Sequence, residues 1–90
     1  MNTVWKYILN SDTNVIDIPE GYSVLSVVAQ RNQVVLYCLV NPLEVLIQAK
    51  FRVVGTGWEL EHNFYDNKIF VGTVKTHAET YVWHVFEVFE

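Results

Sequence analysis

Apolar and polar positions alternate with a period of two along much of the chain, which predicts strands with one buried and one wetted face. The cleanest alternation runs from Val45 to Val54. There Val45, Ile47, Ala49, Phe51 and Val53 point one way, and Gln48, Lys50 and Arg52 the other, between Leu46 and Val54. Further strands are predicted over Thr3 to Leu9, Val15 to Ile18, and Tyr22 to Gln30 with Leu25, Val27 and Ala29 on one face. Two segments break the alternation. Val34 to Val40 is apolar throughout and predicts a strand buried on both faces. Thr80 to Phe89 carries Val82, Phe86 and Val88 on one side and Tyr81, Trp83, Val85 and Phe89 on the other. A strand of that kind is either central in its sheet or covered by a second subunit.

The breaks between these runs carry turn chemistry. They are the polar cluster Asn10 to Asn14, Pro19-Glu20-Gly21, the hairpin tip Arg31-Asn32, Asn41-Pro42, and Gly55-Thr56-Gly57. Trp58-Glu59-Leu60 reads as a short strand and Glu61 to Asn67 as polar and irregular. Lys68 to Thr76 and Thr80 to Phe89 read as a hairpin around His77-Ala78-Glu79. No long segment has apolar residues at helical spacing with caps, so any helix is a single turn near Asn41 to Glu44 or Glu61 to Asp66. The expected fold is all-β: one domain over residues 1–90, a compact antiparallel meander closed as a small barrel or a two-sheet sandwich of roughly six to eight strands.

Composition sharpens this. Sixteen valines, five isoleucines and six threonines make 30% of the chain β-branched, which is strand composition. Apolar residues reach 51% and charged residues 18%, which excludes disorder for the bulk of the chain. No apolar run is long enough for a membrane helix. The N-terminus lacks the basic region and apolar stretch of a signal peptide, and a single cysteine, Cys38, cannot form an internal disulfide, so a cytoplasmic location is expected. Cys38 lies within an apolar strand and reads as a buried, inert thiol. Six scattered basic residues against ten acidic ones argue against a nucleic-acid polymer as partner. Three tryptophans, five phenylalanines and five tyrosines exceed what one small core hides, which points to a homo-oligomer.

Candidate chemistry is sparse. Gly55-Thr56-Gly57 reads as a plain turn or as a nest of backbone N–H groups for an anion, with Arg52 nearby as a cationic partner. It lacks the third glycine of a dinucleotide fingerprint and the Gly-Lys-Ser/Thr of a phosphate loop. His62, His77 and His84 have no metal-ligand spacing, so no metal or cofactor is expected. His84, between Trp83 and Val85, is either a satisfied core histidine or a pocket histidine aimed at a ligand. Glu59 with Glu61, and Glu87 with Glu90, are the available carboxylate pairs; the first pair reads as a solvated face. Trp5, Tyr7, Trp58 and Trp83 with Lys6 and Arg52 are either ordinary packing or an aromatic and cationic pocket able to stack a base and hold its phosphates.

Several stretches, taken in order, resemble a family of small phage and prophage proteins of unknown function. They are Val4-Trp5-Lys6-Tyr7, Ile18-Pro19-Glu20-Gly21, Leu25-Ser26-Val27 with Gln30, Leu39-Val40-Asn41-Pro42, Phe51-Arg52 with Gly55-Thr56-Gly57, Gly72-Thr73, and the terminal Val82-Trp83-His84-Val85-Phe86-Glu87. The likeness spans nearly the whole chain. In that family a histidine commonly follows Gly-Thr-Gly and an aspartate precedes the proline; here those positions are Trp58 and Asn41. The resemblance implies a phage protein acting in the cytoplasm of an infected bacterial host by binding rather than by catalysis.

The expected function is therefore sequestration of a small ligand, such as a nucleotide immune signal, to counter host defence. The expected ligand-binding residues are Trp5, Lys6, Arg52, Gly55, Thr56, Gly57, Trp58 and His84, and the expected oligomer interface is Tyr81, Trp83, Val85 and Phe89. The alternatives are an inhibitor that binds a host enzyme, or a structural virion or assembly protein. No enzyme activity is expected.

Overall fold

A computed structural model describes residues 1–89. Seven strands form two antiparallel sheets. They are β1 (Thr3–Leu9), β2 (Asp12–Pro19), β3 (Ser23–Gln30), β4 (Gln33–Val40), β5 (Leu46–Gly55), β6 (Lys68–Thr76) and β7 (Tyr81–Val88). The first sheet has the order β1-β4-β3 and the second β2-β5-β7-β6. The sheets stay open, so the fold is the sandwich of the expected alternatives and not the closed barrel. Among the described residues the one helical element is a 3-10 turn, Phe64–Asn67, which overlaps the expected Glu61 to Asp66. Asn41 to Glu44 closes instead as a turn, with Glu44 N–H donating to Asn41 O.

Local chemistry accounts for the boundaries. Asn14 draws in the corner between β1 and β2. Its Oδ1 accepts from Asn10 N–H at 2.8 Å, and its Nδ2 donates to Asn10 O at 2.8 Å and Asp12 O at 3.2 Å. This clamp lets Asp12 take a left-handed φ of 68° and start β2 three residues earlier than predicted. Arg31 and Asn32 both have positive φ, 52° and 61°, the geometry of a two-residue hairpin that matches strand twist. The β6–β7 tip is less orthodox: His77, Ala78 and Glu79 are all left-handed, closed by Thr80 N–H to His77 O at 3.0 Å.

The core lies between the sheets. Leu9, Val34, Leu36, Cys38 and Val40 from the first meet Ile18, Ala49, Phe51, Val53, Val74 and Val85 from the second. β3 lies against β6, where Gly72 permits close approach: a Cβ there would sit 2.8 Å from Val27 Cγ1. Two strands predicted as apolar on both faces prove central. β4 runs between β1 and β3, and β7 between β5 and β6.

Three expectations are corrected. Val45 is outside β5 and exposed, and Ile47 is half-exposed, because the first turn of that strand projects past the core; the buried stripe is Ala49, Phe51 and Val53. A β-bulge in β3 between Val24 and Ser26 throws Leu25 outward, so Val24 turns inward in its place, on the side where Val27 was expected and lies. Trp58-Glu59-Leu60 is not a strand. The segment after Gly55 instead folds back over the second sheet's outer face. Phe64 is buried there, edge-to-face on Phe86 at 5.0 Å, with the Arg52 guanidinium 5.1 Å and the Lys68 ammonium 4.2 Å from its ring centre.

Candidate functional site

β5 ends in the turn Gly55 to Trp58, and β7 begins at Tyr81. Because Gly55 pairs with Trp83 across the β5–β7 ladder, the turn and the start of β7 share one corner of the second sheet. Between them is a cleft of about 350 Å³ lined by Gly55, Thr56, Trp58 and Thr80 to Trp83. Its walls are aromatic. Trp58 meets Trp83 edge-to-face at 5.9 Å, Tyr81 lies 6.1 Å from Trp83 at a tilt of 38°, and His77 stands against Tyr81 at 5.1 Å. Trp83 is pinned by its Nε1–H, which donates to Thr76 Oγ1 at 3.0 Å. Behind it a smaller cavity of about 240 Å³ opens between the sheets toward Asn32, Thr76 and His77.

The Gly55-Thr56-Gly57 segment closes as a turn. Trp58 N–H donates to Gly55 O at 3.2 Å and Thr56 N–H to Val82 O at 3.1 Å, so the Thr56 and Trp58 amides are used within the fold. Gly57 supplies the positive φ, 89°, that the turn requires. His84 is held on both nitrogens. Thr56 Oγ1 lies 2.7 Å from Nε2 and Thr73 Oγ1 3.0 Å from Nδ1, and since a hydroxyl can donate or accept, either tautomer is satisfied. His84 therefore positions the Thr56 wall of the cleft, and it lies on the outer face of the sheet rather than in the core.

Arg52 is spent elsewhere. Its Nε is 2.8 Å from Asp12 Oδ1 and its Nη1 is 3.3 Å from Glu61 Oε1. The Glu61 carboxyl is held below its usual range, by a backbone hydrogen bond first and then by the Arg52 charge. Trp5 and Lys6 are on β1, in the other sheet, and neither lines the aromatic cleft. Of the eight expected ligand-binding residues, Gly55, Thr56, Gly57, Trp58 and His84 come together at one corner; Arg52, Trp5 and Lys6 do not join them.

The expected interface residues also divide. Val85 is fully buried and Trp83 is largely enclosed, both packed against the protein's own core, whereas Tyr81 and Phe89 are exposed. The doubly apolar pattern of β7 comes from its central place between β5 and β6, so Val85 has no surface left for a second subunit.

A second polar cluster escaped sequence reading. The Tyr22 hydroxyl donates to Glu87 Oε2 in the rim of the core. Burial, then this bond, pushes the Tyr22 phenol well above its ordinary value. Burial, helped by the Glu87 charge, pushes the Cys38 thiol up to about 11, so it is inert at neutral pH. The signal was present: Glu87 is two residues beyond Val85 and shares its inward face. Glu90, its proposed carboxylate partner, lies outside the described residues. Among the described residues no group of three or more His, Cys, Asp or Glu is placed to hold a metal ion, and no helix is long and apolar enough to cross a membrane.

These features define an all-β sandwich with an aromatic corner cleft. The chain belongs to the family described as a domain of unknown function (DUF7352), whose model matches residues 1–90. No curated protein and no solved structure matches it.

Proposed function

We propose that this chain is a small phage protein that works by binding, taking up a ligand with a planar ring in the cleft of Trp58, Tyr81 and Trp83. The observation that carries this reading is the pairing of exposed and pinned rings around one opening. Trp83 is fixed by Thr76, while Trp58 and Tyr81 reach solvent on either side of the cleft. A ring inserted between them gains stacking of about 1–3 kcal/mol per aromatic face lost on substitution. The base of a nucleotide immune signal is the ligand the phage resemblance favours, and sequestering it counters host defence without chemistry. Recognition then rests on the base and not on phosphate, since Arg52 is neutralised by Asp12 and Glu61.

Thermal shift and tryptophan fluorescence with nucleosides and with linear and cyclic nucleotides test this. A ligand bound only by the folded state adds about 2.7 kcal/mol of stability at a hundredfold excess over Kd. Trp58→Ala and Tyr81→Ala abolish the response, and Arg52→Ala retains it. A panel without any response overturns the reading, and capture of a single host enzyme from lysate would establish the inhibitor alternative in its place.

A further inference from the structure

A sheet edge is a row of unpaired N–H and C=O groups, and proteins normally blunt it with charge, proline, a bulge or a cover. This sandwich has four edges, and three are blunted. β2 carries Asp12 and Asp17 and ends in Pro19. β3 is broken by the bulge at Leu25 and lies against β6. β6 carries Lys68 and Lys75 and a bulge between Phe70 and Gly72. β1 differs. It is seven residues long, Thr3-Val4-Trp5-Lys6-Tyr7-Ile8-Leu9, with unbroken register against β4 on one side. Among the described residues no backbone hydrogen bond reaches its other side. Lys6 is its single charge. Val4 and Ile8 are about half exposed on the outer face, and Trp5 is partly exposed on the inner one.

We propose that β1 pairs antiparallel with β1 of a second copy of this chain, joining two three-stranded sheets across a two-fold axis. The occupant of this edge must be extended, apolar on both faces and nearly free of charge and proline. β1 itself meets that specification, and a two-fold axis closes the contact without leaving an edge to propagate. The charge fixes the register. In such a pair residues directly opposite share a face, and like charges opposite each other repel. Centring the axis on Lys6 sets lysine against lysine. Centring it on Trp5 sets Lys6 against Val4, and centring it on Tyr7 sets Lys6 against Ile8. Centres on Val4 or Ile8 avoid the repulsion too but pair only about three residues of the strand, so the axis passes through Trp5 or Tyr7. The seam stands apart from the aromatic cleft, so it does not depend on the proposed ligand.

Light scattering on the native chain across a range of concentrations reads the dimer directly. Hydrogen exchange at low and high micromolar protein then locates it: β1 amides slow with concentration while those of the β2 and β6 edges do not. Cysteine placed singly at positions 5 and 7 of a Cys38→Ala background and oxidised reads the register; the background is needed because Cys38 is the cross-strand partner of Trp5 on β4 and would capture a cysteine there within one chain. A residue beside the axis faces its own copy closely enough for a disulfide. The proposal expects dimeric native protein and crosslinking between chains of Trp5→Cys or Tyr7→Cys. A monomer at high micromolar concentration, a dimer whose β1 amides exchange unchanged, or a dimer that crosslinks at neither position 5 nor position 7 overturns it.

Discussion

The alanine substitution of Gly55 separates the candidate site from the fold that carries it. A Cβ on Gly55 would sit 2.6 Å from Trp58 Nε1, 3.0 Å from Cε2 and 3.1 Å from Cδ1. Ordinary contact is about 3.5–4.0 Å, so the indole must withdraw by roughly 1 Å. It can, because Trp58 stands on a turn and is 44% exposed. Withdrawal breaks its edge-to-face contact with Trp83 at 5.9 Å, a loss of about 0.5–1.5 kcal/mol. Against that, Gly→Ala at a compatible backbone position stabilises by about 0.4–1 kcal/mol through the unfolded chain. Gly55 has no positive φ, so the gain is available. The two contributions nearly cancel, and Gly55→Ala should unfold within about 1 kcal/mol of the parent in urea. Near-UV circular dichroism reads the site. The Trp58–Trp83 pair should give a coupled indole signal that Gly55→Ala diminishes and Trp58→Phe removes. An unchanged signal in Gly55→Ala, with stability preserved, would refute the placement of Trp58 against Gly55 and with it the geometry of the cleft.

Two further expectations concern the core. Gly72→Ala drives a methyl into Val27 Cγ1 at 2.8 Å, where a stiff β-branched side chain has little room to yield, and should destabilise by about 1–3 kcal/mol. In Gly72→Ala/Val27→Ala part of that loss should return, and denaturant titrations giving strictly additive losses would contradict the close approach of β3 and β6. The Cys38 thiol is raised from near 9 to about 11 in the folded state, so the fold favours its neutral form. That contribution, about 2–3 kcal/mol, is complete below pH 9 and disappears as the pH rises toward 11. Stability measured across that range should fall in the parent and fall less in Cys38→Ala, with Tyr22 adding to the loss at still higher pH.

Several elements were readable from local pattern alone. β1 was placed to the residue because its run of aliphatic and aromatic residues ends at an unmistakable polar turn. The Arg31-Asn32 tip was found because both of its flanking strands terminate there. β2 was read short because the Asn14 clamp that starts it works through a side chain folding back onto the chain. Leu25 was assigned to the wrong face because a bulge inserts one residue and inverts the alternation beyond it, and β3 has no glycine or proline to announce the break.

The candidate site divides along the same line. Trp58, Thr56 and His84 were singled out by type and neighbourhood, and the fold brings them to one corner. Arg52 has the same chemistry at any position, but its role depends on Asp12 and Glu61, which approach from a neighbouring strand and a returning loop. Sequence spacing carries no trace of that neutralisation.

The chain by itself determined that it is a β protein, where most strands start and stop, and which residues are aromatic or charged enough to matter. Those properties follow from side-chain alternation, β-branching and turn chemistry, which act over a few residues. Only the tertiary structure decided which strands are neighbours. Pairing depends on contacts between residues far apart in sequence, and many pairings satisfy the same alternation. That decision made β7 central rather than an interface, enclosed Trp83 against Trp58, neutralised Arg52, and left β1 as the edge without protection.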